Sequence, residues 1–300
     1  MILCCGEALI DMLPRETAAG EAAFAPHAGG SVFNTAIALG RLGAEAGLFS
    51  GLSTDLFGQI LTDTLTASKV RFDLAIRSQR PTTLAFVTLT DGQAQYAFYD
   101  ENTAGRMITP ADLPVIPDQV GALFFGGISL PADPCGSAYE ALMLREAPAR
   151  VTMIDPNIRP DFITDEAAFR ARMGRMLAAA DIVKISDEDL DWLGLDVAGL
   201  LAGGAKLVCL TEGAKGVRAH LPGESLSVAA KPVAVVDTVG AGDTFNAGLL
   251  AGLSQAGLLT KAALATLTGA QLRPALELGV AAAAVTVSRA GANPPWAHEL

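Results

Sequence analysis

The sequence predicts an α/β fold built on a largely parallel sheet. Short apolar runs alternate with longer helix-like segments along the whole chain, the order that successive βα units impose. No internal repeat, charge block or Ser/Gly linker interrupts that order. One segment breaks the rhythm: two runs of alternating apolar and polar residues flank Asp91-Gly92.

The apolar runs place strands over 2–5, 47–51, 122–125, 151–155, 182–185 and 207–210. The longer segments place helices over 31–42, 57–67, 137–146, 166–179, 241–256 and 272–284. The runs 82–89 and 93–99 around Asp91-Gly92 read as a hairpin. A hairpin inserted into a βα chain does not easily join a parallel sheet, so a separate β flap is expected, with part of 13–27 as a partner strand. Such a flap can cover a site and exclude water, or dimerise through its exposed face.

At 300 residues the chain can bury the core of one large α/β unit or two modest domains. Gly (31) and Pro (16) are without period, which excludes a collagen-like or low-complexity chain. The 32 acidic residues against 21 basic ones give a net charge of −11, unsuited to non-specific binding of nucleic acid or anionic membrane. A phosphorylated ligand must therefore be held by local donors. No stretch approaches the roughly 20 apolar residues of a membrane span, and Glu7 and Asp11 make the N-terminus unlike a signal peptide. A cytoplasmic location is expected. Cys4 and Cys5 are adjacent on an expected strand and point to opposite faces, while Cys135 and Cys209 stand alone. With His27, His220 and His298 widely separated, no transition-metal site is expected.

The most informative stretch is Asp237-Thr238-Val239-Gly240-Ala241-Gly242-Asp243-Thr244-Phe245-Asn246-Ala247-Gly248. The apolar run 233–236 feeds a glycine-rich turn, which opens a helix carrying Phe245, Leu249 and Leu253 on one face. Unpaired N–H groups and the partial positive charge of a helix N-terminus suit phosphate, and Gly240, Ala241 and Gly242 let an anion approach the backbone. Asp243 falls in the first turn, where a carboxylate either caps the helix or acts as general base for a hydroxyl attacking phosphorus.

The segment 237–250 closely resembles the C-terminal signature of the ribokinase-like (PfkB) carbohydrate kinases, D-T-x-G-A-G-D-x-F. Gly29-Gly30-Ser31-Val32-Phe33-Asn34, followed by Gly51 and Asp55-Leu56-Phe57-Gly58, resembles the family's N-terminal signature. Gly6-Glu7 with Asp11 is similar to its sugar-binding opening, and Thr211-Glu212-Gly213 with Gly216 to its nucleotide-binding turn. Asp155-Pro156-Asn157-Ile158-Arg159 resembles the D-x-N-x-R segment of fructokinases and 2-keto-3-deoxygluconate kinases. These motifs occur in family order and span nearly the whole chain.

The resemblance implies a single three-layer α/β/α ribokinase-like domain over 1–300, with a β lid from about 12–28 and 82–104. It implies Asp243 as catalytic base, the Gly240, Ala241, Gly242 and Asp243 amides as anion hole, and Arg159 where the donor phosphate meets the acceptor. Asp11, Gly29, Gly30 and Asn34 would bind the sugar, with Arg106 as a weaker candidate. Thr211, Gly213, Gly216, Gly242, Asn157 and, more weakly, Lys184 would bind nucleotide; Arg106 and Lys184 read equally well as solvated surface charges. ATP would sit near 211–216 and 281–293.

Two departures from the family pattern concern ions. Its N-x-x-E magnesium motif is Ser186-Asp187-Glu188-Asp189 here, so Mg2+ is expected with ATP, held through water by Glu188 or Asp189. The family's monovalent-cation site corresponds to Asp237 and the loop 288–295, which raises a K+ site formed largely by backbone carbonyls. No Gly-Lys dipeptide and no G-x-G-x-x-G occur, which excludes a Walker P-loop and a dinucleotide turn. The implied activity is ATP-dependent phosphorylation of a small sugar's primary hydroxyl. The fructokinase branch is resembled most, 2-keto-3-deoxygluconate kinase is the alternative, and ribokinase or nucleoside kinase comes third. A catalytically silent sugar-binding regulator is the reading from another class, and a homodimer through the lid is an open option.

Overall fold

The computed structural model describes residues 1–90 and 93–300, with the side chains of 88–96 excepted, so the expected turn at Asp91-Gly92 lies outside the described residues. The first half of the chain contains β1 (Ile2–Cys5), β2 (Leu9–Glu16), β3 (Ala22–Gly29), α1 (Ser31–Arg41), β4 (Ala46–Phe49), β5 (Gly51–Ser53), α2 (Leu56–Ala67), β6 (Ile76–Ser78), β7 (Thr83–Thr90), β8 (Gln93–Tyr99), β9 (Ala122–Gly126) and α3 (Cys135–Glu146). The second half contains β10 (Val151–Asp155), α4 (Glu166–Ala178), β11 (Ile182–Ser186), α5 (Asp187–Leu193), α6 (Val197–Ala202), β12 (Leu207–Thr211), β13 (Val217–Leu221), β14 (Glu224–Val228), α7 (Ala241–Gln255), α8 (Lys261–Ala265) and α9 (Gly269–Val287).

The main sheet has eight strands in the order β14-β13-β12-β11-β10-β9-β1-β4. Strands β12 to β4 in that order run parallel, and β13 and β14 close one edge antiparallel. Parallel strands covered on both faces are apolar throughout, which is why β1, β9 and β10 are fully buried. Adjacent Cys4 and Cys5 divide the two faces. Cys4 packs with Phe33 of α1, Leu249 of α7 and Leu272 of α9, whereas Cys5 packs with Tyr139 of α3 and Phe169 of α4. The result is a three-layer α/β/α sandwich.

A second sheet, β3-β2-β7-β8, stands apart from the first. The stretch 13–27, expected as one partner strand, contributes to two: β2 and β3 form their own hairpin, and β2 pairs parallel with β7. The pleat puts Asp11 and Phe98 toward the cleft described below. Phe24, Phe86 and Tyr99 meet edge-to-face on the opposite side.

The structure departs from the sequence pattern in three places. The helix expected over 272–284 begins earlier, because Thr268 and Gln271 form a capping box ahead of it. The edge strands β13 and β14 and the short pair β5-β6 were not anticipated; they are three to five residues long and their apolar signal is weak. The run 233–236 is not an element: Val233, Val235 and Val236 are exposed, and the chain is tied down by the Val236 and Asp237 amides donating to the Val287 carbonyl.

Candidate active site

The parallel strands end at one edge of the sheet, and the loops that follow them open a cleft of about 960 Å3. Clefts at the carboxyl ends of strands are the usual ligand sites of open α/β sheets. Glu7 follows β1, Gly127 follows β9, Asn157 and Arg159 follow β10, and the 238–243 turn enters from α7; Asp11 and Phe98 of the small sheet form the roof.

Helix α7 carries Asp243 in its first turn and is positioned by close packing on α9: a Cβ on Gly248 would lie 2.5 Å from Gly279 Cα. Its N-cap Gly240 is left-handed at φ 77°, and a Cβ there would meet Ala292 Cβ at 2.7 Å. Glycine is therefore needed both for the turn and for its approach to the C-terminal loop.

Asp243 is buried, and each of its carboxylate oxygens has a fixed donor. Ser31 Oγ donates to Oδ1 at 2.6 Å and Asn34 Nδ2 to Oδ2 at 3.0 Å. Both donors stand on the first turn of α1, three residues apart and so on one face. Burial pushes the Asp243 carboxyl up to about 6 against the lowering effect of these two hydrogen bonds. Burial also raises Asp11 to about 6 and Glu7 to about 7, with Asp243 adding repulsion to each. Glu7 accepts from Ser129 Oγ at 3.0 Å and faces the cleft beside Asp243.

Lys184, read from sequence as equally well a solvated charge, is only 6% exposed. Its Nζ donates to Asp155 Oδ2 at 2.9 Å, and a Cβ on Gly242 would lie 3.2 Å from it. Burial works against the ammonium, but Asp155, with Asp189 and Asp243 adding to it, holds its pKa above the ordinary lysine value. Arg106 is not a free surface charge either. It donates to Asp100 Oδ2 at 3.2 Å and to the Asp133 carbonyl at 2.9 Å. Arg159 reaches the cleft with its guanidinium bonded to the Ile158 carbonyl at 2.9 Å.

Of the residues expected from sequence, Asp11, Gly30, Asn34, Arg106, Asn157, Arg159, Lys184, Gly240, Ala241, Gly242 and Asp243 line this one cleft. Gly29, Thr211, Gly213, Gly216, Glu188, Asp189 and Asp237 do not line it. Gly29 lies beneath Asp11, whose Oδ2 would be 2.1 Å from a Cβ there. Gly213 and Gly216 frame a turn after β12, both at positive φ. Asp237 accepts from the Val239 amide at 3.0 Å and the Gly291 amide at 2.9 Å, pinning the two loops together. Glu188 is exposed on α5, whereas Asp189 is buried and accepts from the Ile158 amide at 3.1 Å. No group of three or more His, Cys, Asp or Glu able to hold a metal occurs among the described residues. A nucleotide-borne Mg2+ needs only one or two protein carboxylates, which this arrangement can supply.

The sequence motifs quote Ser31, Asp155 and Asn246 without a role, and pass over Asp100. Only Ser31 had a legible signal, its i, i+3 spacing to Asn34 on one helix. Asn246 joins distant segments, whereas Asp100 accepts from Thr83 of β7 and from Thr103 and Arg106 in the loop after β8, which carries no regular spacing.

The fold and the cleft define an α/β protein with a ligand cleft at the carboxyl ends of its parallel strands. The chain matches the pfkB family carbohydrate kinases over residues 1–299. It is 56% identical over 279 residues to a fructokinase of Rhizobium leguminosarum bv. trifolii, covering 91% of this chain and 86% of that one. The structure of fructokinase with bound ATP from Xylella fastidiosa superposes with a TM-score of 0.88 at 30% identity, covering 97% of this chain and 93% of that one. A double mutant of fructokinase from Vibrio cholerae O395, with fructose, ADP and potassium bound, superposes at 0.83 with 25% identity and coverage of 97% and 93%. The chain belongs to the pfkB family of carbohydrate kinases. Within it, the chain is a fructokinase-like sugar kinase.

Proposed function

We propose that this kinase transfers the γ-phosphoryl group of ATP to the primary hydroxyl of D-fructose, giving fructose 6-phosphate and ADP. The observation that carries this reading is the placement of Asp243, a cleft-facing carboxylate with one fixed donor on each oxygen and lone pairs left to accept a substrate hydroxyl. Asp243 takes the proton of the acceptor hydroxyl, and the Gly240–Asp243 amides receive charge developing on the phosphoryl oxygens. Asp11, Gly30 and Asn34 bind sugar hydroxyls, Gly29 leaves room for Asp11, and Arg159 meets the donor phosphate.

The nucleotide lies over Asn157 and the turn of Thr211, Gly213 and Gly216. The exposed valines 233, 235 and 236 support that seat, because their segment runs from beside Gly216 to the end of α9. Magnesium bound to the nucleotide would neutralise phosphate charge, with Glu188 or Asp189 as its outer carboxylate. A monovalent cation at the loops that Asp237 joins fits the same reading, as one relative binds potassium.

The whole chain then works as one kinase domain with the small sheet as its lid. The uncovered aromatic face of that lid, Phe24, Phe86 and Tyr99, suits a second copy. A cytoplasmic location and the absence of nucleic-acid or membrane partners belong to this reading; no helix among the described residues is long and apolar enough to cross a membrane.

A keto-acid acceptor would need a cation from Arg106 or Arg159; Arg106 is engaged by Asp100, and Arg159 is assigned to the donor phosphate. That favours fructose over 2-keto-3-deoxygluconate. The test is ADP release with ATP and Mg2+ against fructose, 2-keto-3-deoxygluconate, ribose, glucose, tagatose and adenosine. Highest kcat/KM with fructose is expected. Preference for the keto-acid would overturn the branch, and silence on every acceptor by folded protein would favour the regulator.

A further inference from the structure

Phosphoryl transfer spreads charge over three oxygens, and backbone amides answer it only with partial charges. The chain has no Walker lysine, yet it buries a lysine in the central sheet beside the anion-hole turn. Lys184 of β11 reaches Asp155 at the end of β10 with one of its three N–H donors. The missing side chain of Gly242 leaves the space next to its Nζ. Asn246, three residues after Asp243 on α7, donates to the same Asp155 Oδ2 at 2.7 Å. The three residues thus fasten the helix carrying Asp243 to the strand carrying the ammonium.

Stability does not explain this cluster. Buried ion pairs gain little over apolar residues of the same volume. The cluster is also not closed on itself, since the bond to Asp155 takes one of the three donors of the Lys184 ammonium. Both Lys184 and Asp155 face the cleft.

We infer that Lys184 is a catalytic residue of the transfer step, its ammonium set against the oxygens of the phosphoryl group in flight on the Gly242 side, with Asp155 and Asn246 as positioning residues. This rests on the sugar-kinase reading and extends it from nucleotide binding to the chemical step. The acceptor oxygen gives its proton to Asp243 and bonds to the γ-phosphorus. The bond from that phosphorus to the bridging oxygen breaks, and its electron pair leaves with ADP. Lys184 neither gains nor loses a proton; it balances charge.

The test compares wild type, Lys184→Met, Asp155→Asn and the double variant at saturating ATP and fructose. Lys184→Met is expected to lower kcat about 100-fold while the KM for fructose stays within about threefold. Asp155→Asn lowers kcat about tenfold, and the double variant matches Lys184→Met alone, because Asp155 acts through the lysine. The double variant also removes the lone buried charge that could unfold Lys184→Met. Lys184→Cys alkylated with 2-bromoethylamine, which restores an ammonium, is expected to recover activity. A kcat within about threefold of wild type in either lysine variant overturns the assignment while leaving the sugar-kinase reading intact. Wild-type silence on every acceptor overturns both.

Discussion

The Ser31 hydroxyl donates to Asp243 Oδ1 at 2.6 Å, joining residues 212 apart in the chain. Because that bond favours the ionised carboxylate, it opposes the upward pull of burial. The acid limb of kcat/KM is therefore expected to fall as pH drops through about 6, where Asp243 takes up a proton. In Ser31→Ala the opposing bond is lost, the carboxyl rises further, and the limb moves to higher pH. A pH–rate profile of both proteins checks this, and an unmoved limb would detach Ser31 from the titrating group.

Asp243→Asn keeps the shape and a hydrogen-bonding partner for Ser31 but removes the proton acceptor. Turnover is expected to drop about 1,000-fold, with fructose affinity by calorimetry within about threefold of wild type. Near-normal kcat would refute the base.

Acidic groups with raised pKa values give the ligand-free protein an unusual pH dependence. Glu7 at about 7 and Asp11 and Asp243 at about 6 bind protons in the folded state that the unfolded chain has already released. Their stabilising effect is complete below the ordinary carboxylate range and is lost as pH rises through those values. His220, lowered by burial, acts in the opposite direction, but it is one group against four, because burial also raises Asp189. Thermal melting is expected at lower temperature at about pH 7.5 than at about pH 5, and Glu7→Gln should flatten the difference. A Tm that rises across the interval would contradict the cause given.

Gly240→Ala puts a Cβ at left-handed φ and against Ala292. The backbone cost alone is about 1–2 kcal/mol, and the turn must shift to relieve the overlap. Urea unfolding should show the lost stability, and kcat should fall together with it. Wild-type stability and rate would show the turn tolerates a side chain.

Asp100→Asn removes the carboxylate paired with the cleft-lining Arg106 guanidinium, leaving its bond to the Asp133 carbonyl. The ratio of kcat/KM for 2-keto-3-deoxygluconate to that for fructose is expected to rise about fivefold to tenfold. An unchanged ratio would mean that Arg106 does not face the acceptor.

Local sequence determined the alternating α/β order, the opposed faces of Cys4 and Cys5, and the turn ahead of Asp243. Each is fixed by residue spacing within a few positions: period 2 in strands, 3.6 in helices, and glycine where φ turns positive. The family motifs pointed to Asp243 and to most of the other residues that the structure gathers at the cleft. Only the tertiary structure decided that Lys184 is buried on Asp155, that Arg106 is held by Asp100, and that Ser31 reaches Asp243. Lys184 and Asp155, and Ser31 and Asp243, come from separate segments that meet only at the sheet edge, and Arg106 meets Asp100, six residues away, through a loop fold that no residue spacing announces. Desolvation follows from the same assembly, so the raised carboxyls of Glu7, Asp11 and Asp243 leave no trace in composition or pattern.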